Sequence, residues 1–186
     1  MQKNTVATPS LVALLEAGVH FGHDRSKQNP KMKPYVFTQR NRVAILDLEK
    51  TVIGLEAAVT FLQQIAAQPN KEILFVGTKR QAREVVERHA KRARQPFVVK
   101  RWLGGTLTNF ATILKSIEKL EELKSLESSG DTEKLTKKEL AVRRKEISRL
   151  ETVLEGIKSL RSLPAAIVVV GSHDEKLAVA AAHRVK

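Results

Sequence analysis

The sequence predicts an α/β protein: a parallel, doubly wound sheet covered by helices, with an antiparallel helical hairpin inserted into it. Three observations predict this. Ile73-Leu-Phe-Val-Gly77, Phe97-Val-Val99 and Ala165-Ala-Ile-Val-Val-Val170 read as short buried strands. Helical patterns alternate with them, the arrangement of βαβ units around a parallel sheet. Residues 106–163 then break that rhythm with two long helical stripes.

In chain order, Thr8 is placed to cap a short first helix, with Pro9 at its first position, Leu11, Leu14 and Leu15 on its apolar face, and Gly18 at its end. Residues 19–34 read as an irregular basic loop containing Asn29-Pro-Lys-Met-Lys-Pro34. Val36 to Thr38 and Val43 to Leu46 read as two strands around an Arg40-Asn41-Arg42 turn. A helix from about Leu48 to Ala67 is expected to bury Val52, Leu55, Ala58, Phe61, Leu62 and Ile65. Thr78 with Gln81 has the spacing of a capping box for a basic helix from about Lys79 to Arg94. Ser172 with Glu175 repeats that spacing before the last helix.

The hairpin stripes are Phe110, Leu114, Ile117, Leu120 and Leu123, then Leu140, Ile147, Leu150, Leu154 and Ile157. Ser128-Ser-Gly-Asp131 separates them, and Thr136 with Glu139 forms a capping box that restarts the helix. This is coiled-coil-like without strict heptads. Residues 106–163 carry twelve basic and ten acidic side chains, too many for deep burial, so the hairpin is expected to project. The expected organisation is one globular α/β domain from 1–105 and 164–186, with 106–163 as the protruding hairpin. The last helix stops at Lys186 with no strand after it, so a C-terminal truncation of the sheet is expected.

Composition narrows the function. Lys and Arg number 33 against 20 Asp and Glu, giving a formal charge of +13 and a pI near 10.2, which calls for a polyanionic partner. Residues 1–50 carry +4 and residues 71–101 carry +7, so two blocks hold most of the excess. The absence of Cys excludes disulfides and thiolate metal sites and is compatible with a reducing cytosol. No apolar run approaches the roughly 20 residues that span a bilayer, and Met1-Gln-Lys-Asn-Thr-Val lacks the apolar core of a signal peptide. A soluble, cytoplasmic protein without membrane contact is expected.

The most informative segment is Arg101-Trp-Leu-Gly-Gly-Thr-Leu-Thr-Asn109, which holds the chain's one Trp after the basic pair Lys100 and Arg101. Cation, aromatic plane, bare amides and short polar side chains suit phosphate and sugar. The same residues also suit a buried Trp anchoring a helix, with Gly-Gly allowing the turn.

Enzyme readings are weaker. His20 and His23, with Asp24 beside them, have a spacing that shares a metal only on a helix, and Gly22 argues against one. His89 lies among Arg88, Lys91 and Arg92, a poor place for a divalent cation. His173 and Asp174 stand at a parallel strand's end, where ligands gather, yet a helix-starting loop explains them. Phe75-Val-Gly-Thr-Lys-Arg80 runs from strand to helix without any Gly-rich phosphate-loop pattern. A phosphoryl-ligand enzyme using the strand ends near Lys79 and Asp174 is the alternative to nucleic-acid binding. No catalytic residue, metal or cofactor is assigned.

Together, Gly18-Val-His-Phe-Gly-His23, Asn29-Pro-Lys-Met-Lys-Pro34, Phe75-Val-Gly-Thr-Lys-Arg80 and Arg101-Trp-Leu-Gly-Gly-Thr-Leu-Thr-Asn109 resemble, in order, the universal small-subunit ribosomal protein number two family in its bacterial or organellar form. Lys134-Leu-Thr-Lys-Lys-Glu139 and Leu163-Pro-Ala-Ala extend the resemblance from about Leu11 to Lys186. It implies a flavodoxin-like α/β domain with a coiled-coil hairpin, and a non-enzymatic protein that contacts small-subunit ribosomal RNA and neighbouring small-subunit proteins, protein one among them in many bacteria. A homo-oligomer is not expected. Relatives often carry a more acidic stretch at Gly171-Ser-His-Asp174, and some are thought to bind zinc there, but Gly171 removes a possible ligand. The residues expected to meet RNA are Arg25, Lys27, Lys31, Lys33, Arg40, Arg42, Lys79, Arg80, Arg83, Lys100, Arg101, Trp102 and Asn109. For Trp102, packing is favoured over stacking on a base, because Leu103 and a helix start lie beside it.

Overall fold

The computed structural model describes residues 8–128 and 137–185. The chain divides into two compact units, 1–64 and 65–186. Each carries its own sheet. No helix among the described residues is long and apolar enough to cross a membrane.

The first unit opens with α1 (Leu11–Glu16), whose cap is Ser10 rather than Thr8: the Ser10 hydroxyl accepts the Ala13 N–H at 3.2 Å. The Thr8 hydroxyl instead donates to Glu56 Oε1 at 3.4 Å. The stretch expected to be an irregular loop contains β1 (Phe21–Asp24) and two 3-10 turns, Arg25–Lys27 and Pro30–Tyr35. Alternating residues of β1 escape notice in the sequence because Gly22 and His23 interrupt any apolar pattern. β2 (Val36–Arg40) and β3 (Val43–Leu46) form the expected hairpin, and β1 joins the far edge of β3, giving an antiparallel sheet in the order β1-β3-β2.

α2 (Leu48–Ala66) follows. Asp47 caps it, accepting N–H bonds from Glu49 at 3.1 Å and Lys50 at 3.3 Å. The Lys50 bond leads the causes that hold the Asp47 carboxyl below its usual pKa. Of the six side chains expected to be buried on α2, only Ile65 is fully so, while Ala58 and Phe61 are exposed. Helical period marks a face; whether that face is covered depends on partners the period does not reveal.

The second unit is built on a parallel sheet, β5-β4-β6: β4 (Ile73–Val76) lies between β5 (Phe97–Val98) and β6 (Ala166–Val169). Phe75 and Val76 pair with Phe97 and Val98 on one side, and Ile73 through Val76 pair with Ala166 through Val169 on the other. Side chains alternate between faces. Leu74, Val76 and Val98 belong to the main core, whereas Phe97 and Val99, with Phe75 against them, pack with Val86 and Ala90 of α3 (Arg83–Arg92). A parallel sheet with apolar cover on both faces is the α/β arrangement expected, here with three strands.

The main core is filled by the hairpin helices α4 (Phe110–Ser128) and α5 (Lys137–Leu154) and by α6 (Lys176–Arg184). Ile113 is buried where the stripe analysis selects Leu114. Ile117, Leu120, Leu154, Ile157 and Leu160 have almost no exposure, so the basal half of the hairpin is a core element. Away from the base, cross-helix ion pairs join Lys119 to Glu146 at 2.7 Å, Arg144 to Glu127 at 3.0 Å, and Lys124 to Glu151. These are exposed pairs, worth about 0–1 kcal/mol each. The capping box at Thr136 lies outside the described residues.

Neither of the other expected capping boxes forms. α3 begins at Arg83, because residues 79–82 make a tighter turn in which Ala82 and Arg83 both donate to the Lys79 carbonyl. α6 begins at Lys176, and the Glu175 side chain reaches across the sheet instead of back to Ser172.

The chain returns from α5 through a 3-10 turn, Glu155–Ile157, that lies against β5. Pro96 and Val98 turn their carbonyls to β4, accepting from Phe75 and Gly77, so the Phe97 carbonyl points to the outer edge. There, a Cβ built on Gly156 would stand 2.1 Å from the Phe97 oxygen and 2.6 Å from its ring. Only a residue without a side chain admits this approach. Gly156→Ala is therefore expected to lower stability by at least about 1–3 kcal/mol. Gly54→Ala, on α2 where an added methyl meets nothing, is expected to raise it by about 0.5–1 kcal/mol. Urea denaturation of the two variants checks both signs.

Candidate nucleic-acid interface

In the first unit, β2 and β3 are joined by a two-residue turn, Asn41 and Arg42, with φ of 49° and 67°. Two left-handed residues give the turn whose twist matches a hairpin, and Asn accepts that conformation readily. Arg42 is held there by its neighbours. Its carbonyl accepts the Arg25 N–H at 2.9 Å, and its Nε lies 3.9 Å from Asp24 Oδ2.

Asp24 in turn accepts the Ser26 N–H at 2.9 Å and the Ser26 hydroxyl at 2.7 Å. These bonds, the backbone one foremost, hold its carboxyl below the usual value. A depressed carboxyl keeps its bonds above the ordinary carboxylate range and loses them only as pH falls through its folded pKa. The Arg25–Lys27 turn is thus tied to the hairpin turn at neutral pH.

The six cations expected in this unit are all exposed but do not form one cluster. Arg40 pairs with Val43 at the turn end of the ladder, beside Arg42 and Arg25, with Lys27 two residues on. Lys31 and Lys33 lie in the Pro30–Tyr35 turn, before Val36 pairs with Leu46 at the opposite end. Asn29 anchors that turn by accepting the Lys31 N–H at 3.0 Å.

In the second unit, parallel pairing brings the C-terminal ends of β4, β5 and β6 to one edge of the sheet. Lys79 and Arg80 follow β4, and Lys100 and Arg101 follow β5. Arg80, Lys100 and Arg101 are exposed and make no ion pair among the described residues. Two expected contacts are otherwise engaged. Lys79 Nζ lies 2.8 Å from Asp174 Oδ2, and Arg83 Nε donates to the Thr78 carbonyl at 2.7 Å. Asn109 is exposed, and its Oδ1 accepts the Thr112 hydroxyl at 2.9 Å at the start of α4.

Trp102 is buried, at 8 % exposure, in the main core with Val98, Leu107 and Ile113. Thr106 is buried too, and its hydroxyl donates to the Leu103 carbonyl at 2.7 Å. Burial favours the packing role for Trp102. It leaves the cations before it, and Thr108 and Asn109 after it, as the exposed parts of the segment.

The phosphoryl-ligand alternative meets a specific obstacle. The backbone N–H that a phosphate would seek, that of Thr78, donates to Glu175 Oε1 at 2.6 Å. Glu175 is only 3 % exposed. An anion placed there would face this carboxylate and Asp174, at a point where no helix begins. This cross-sheet bond is invisible to local sequence reading, because 97 residues separate its partners.

Metal chemistry finds no better footing. Among the described residues no three His, Cys, Asp or Glu side chains are grouped to hold an ion, and Asp174 is engaged with Lys79. His173 and Asp174 therefore do not fit the zinc attributed to some relatives. His20 precedes a strand rather than standing on a helix, its ring tilted against Phe21 at 4.0 Å, with Nδ1 buried and unpartnered.

Residue-type reading overlooked the exposed aromatics of the first unit, Phe21, Tyr35 and Phe37. The signal available was the position of Phe21 and Phe37 on short, mostly polar strands and of Tyr35 in the turn before β2.

The family model for ribosomal protein S2 matches residues 14–186, nearly the whole chain, which spans both units and every cation described above. By this match the chain belongs to the ribosomal protein S2 family.

Proposed function

We propose that the protein is a structural constituent of the small ribosomal subunit that binds the subunit's RNA through exposed cations of both units. Family membership supports the ribosomal role. The observation that carries RNA contact is the division of labour among charges. Acidic side chains near the strand ends are engaged internally, Asp174 with Lys79 and Glu175 with Thr78, while Arg80, Lys100 and Arg101 remain exposed without ion pairs. Unpaired surface cations on rigid strand ends suit phosphates, which position a protein on RNA without reading its sequence.

The hairpin serves neighbouring small-subunit proteins in this reading, small-subunit protein one among them, as the resemblance implies. Its described helices present mixed charge: Glu127, Glu146 and Glu151 pair with Arg144, Lys119 and Lys124 of the facing helix. A mixed-charge surface favours a protein partner over a polyanion. The organisation into an α/β body and a protruding hairpin is retained here as part of the proposal. The protein acts without catalysis, in the cytoplasm and as a single copy on the ribosome.

If about six cations meet phosphates, the logarithm of RNA affinity falls with the logarithm of salt at a slope of roughly −4 to −5. Filter binding across a salt series checks this, and a flat response refutes the electrostatic contact. Trp102→Ala is expected to lower stability by about 3–5 kcal/mol, the usual cost of truncating a buried Trp. Its RNA affinity, measured well below its melting transition, is expected to match that of the parent chain. Sedimentation with small subunits stripped of their own copy is expected to give saturable, one-to-one binding that an unrelated RNA does not displace.

A further inference from the structure

The antiparallel sheet of the first unit leaves large aromatic side chains uncovered. Phe21 is 63 % exposed and Phe37 77 %. Exposed aromatics gathered on one small sheet mark a binding surface more often than an accident of folding. Register locates Phe21. Val43 and Ile45 are two apart on β3 and point to one face. Their partners extend that face into two rows, Phe21-Ile45-Thr38 and, next to it, Asp24-Val43-Arg40. Ala44, on the other face, is buried, whereas Val43 and Ile45 are only half-buried. The sheet is covered at Ala44 on one face, whereas the face of Val43 and Ile45 is open.

We infer that this open face is a platform for single-stranded RNA, with a base stacked on Phe21 and its backbone held by Arg40 and Arg42. The inference rests on the proposal that the chain binds ribosomal RNA, and it specifies where and in what form. Charge selects the occupant. Arg25, Arg40 and Arg42 meet at the turn end of the sheet, where Asp24, bonded to Ser26 through Oδ1 and 3.9 Å from Arg42 through Oδ2, is one acid against three guanidinium groups. An apolar protein partner would leave two of these three guanidinium groups without counter-charge, whereas a nucleic-acid strand brings one phosphate per nucleotide. Stacking selects the single strand. A ring standing on a sheet reaches a base only when that base is unpaired, and base–aromatic stacking is indifferent to which base it is. Sheet spacings place Arg40 roughly 12 Å from Phe21, two strands over and one row along, a span for a short extended strand. The His20 ring packs against Phe21 at 4.0 Å between centroids, tilted by 40°, which leaves Phe21 63 % exposed.

The test uses the full chain with two probes of equal length, an unstructured oligouridylate and a perfect RNA duplex, followed by fluorescence anisotropy. Phe21→Ala and Phe21→Leu are expected to weaken single-strand binding about tenfold and leave duplex binding unchanged, while Phe21→Tyr retains both. Arg40→Ala and Arg42→Ala are each expected to reduce the salt slope for the single strand by about one. Equal loss on both probes, or full affinity in Phe21→Leu, overturns the stacking platform, since neither needs a π-face. If the parent chain binds the oligonucleotide and stripped subunits and Phe21→Ala alters neither, the platform falls and the ribosomal RNA reading stands. If the parent chain binds neither, both fall. If Phe21→Ala keeps its RNA affinity but leaves stripped subunits, the face docks a protein and the inference is refuted.

Discussion

The second unit depends on the approach of the Glu155–Ile157 turn to the outer edge of β5. A two-residue strand paired on one side presents its remaining carbonyl to solvent, the exposed edge that proteins normally blunt. Here Gly156 backs directly onto that carbonyl. The consequence is more than edge protection. Ile157, which ends the turn, and Leu160, three residues on, are buried in the same core as Leu74 and Val76 of β4, so the return of the hairpin is packed to the sheet at a fixed point. On the same sheet face, Trp102, Leu107 and Ile113 secure the outgoing leg. Both legs of the hairpin are therefore fixed at their base, and the chain between β5 and α4 has little freedom. Lys100 and Arg101 sit in that chain, which makes them ends of a rigid scaffold rather than tips of a loop.

Charge follows packing. A protein of +13 could spread its cations evenly, but this one uses its acids locally and exposes the remainder. Asp47 caps α2, Asp24 shapes the turn that carries Arg25, Glu175 ties α6 to the loop after β4, and the hairpin glutamates pair across its two helices. Each carboxylate so used is subtracted from the surface field. Among the cations left exposed are Arg40 beside the β2–β3 turn and Arg80, Lys100 and Arg101 at the strand ends of the second unit. An exposed ion pair adds little stability; its larger effect here is on which charges stay unpaired.

The secondary structure of the second unit was legible because its strands are uninterrupted apolar runs, β4 and β5 mostly buried and β6 half-buried. The β2–β3 hairpin was legible from Arg40-Asn41-Arg42 between two apolar stretches. β1 was not, since a strand with Gly and His at its centre and one open face has no apolar signature. The three helix starts near Thr8, Thr78 and Ser172 were misplaced for a common reason. Each shows capping residues at the right spacing, but a nearer Ser, a tighter turn or a carboxylate drawn across the sheet decides otherwise. Spacing records what a side chain can do locally. It cannot register a partner 97 residues away that competes for the same N–H.

The same distinction governs the candidate site. A Trp between a basic pair and Gly-Gly draws attention as a stacking residue, and the structure places it inside. A large aromatic next to a chain reversal is the side chain best able to anchor that reversal, because it brings the most apolar area to one position. The motif's visibility in sequence thus reflects the demands of packing, and its cations inherit their position from it. Phe21 is the opposite case. It stands in a strand too polar to be noticed, and it remains exposed because the β1–β3–β2 sheet has only one buried face to offer. Phe21 is an aromatic side chain that folding leaves largely outside, next to a turn where three guanidinium groups share one carboxylate. Its chemistry is available to a partner, which is why the open sheet face, rather than the conspicuous Trp, is where base recognition is to be sought.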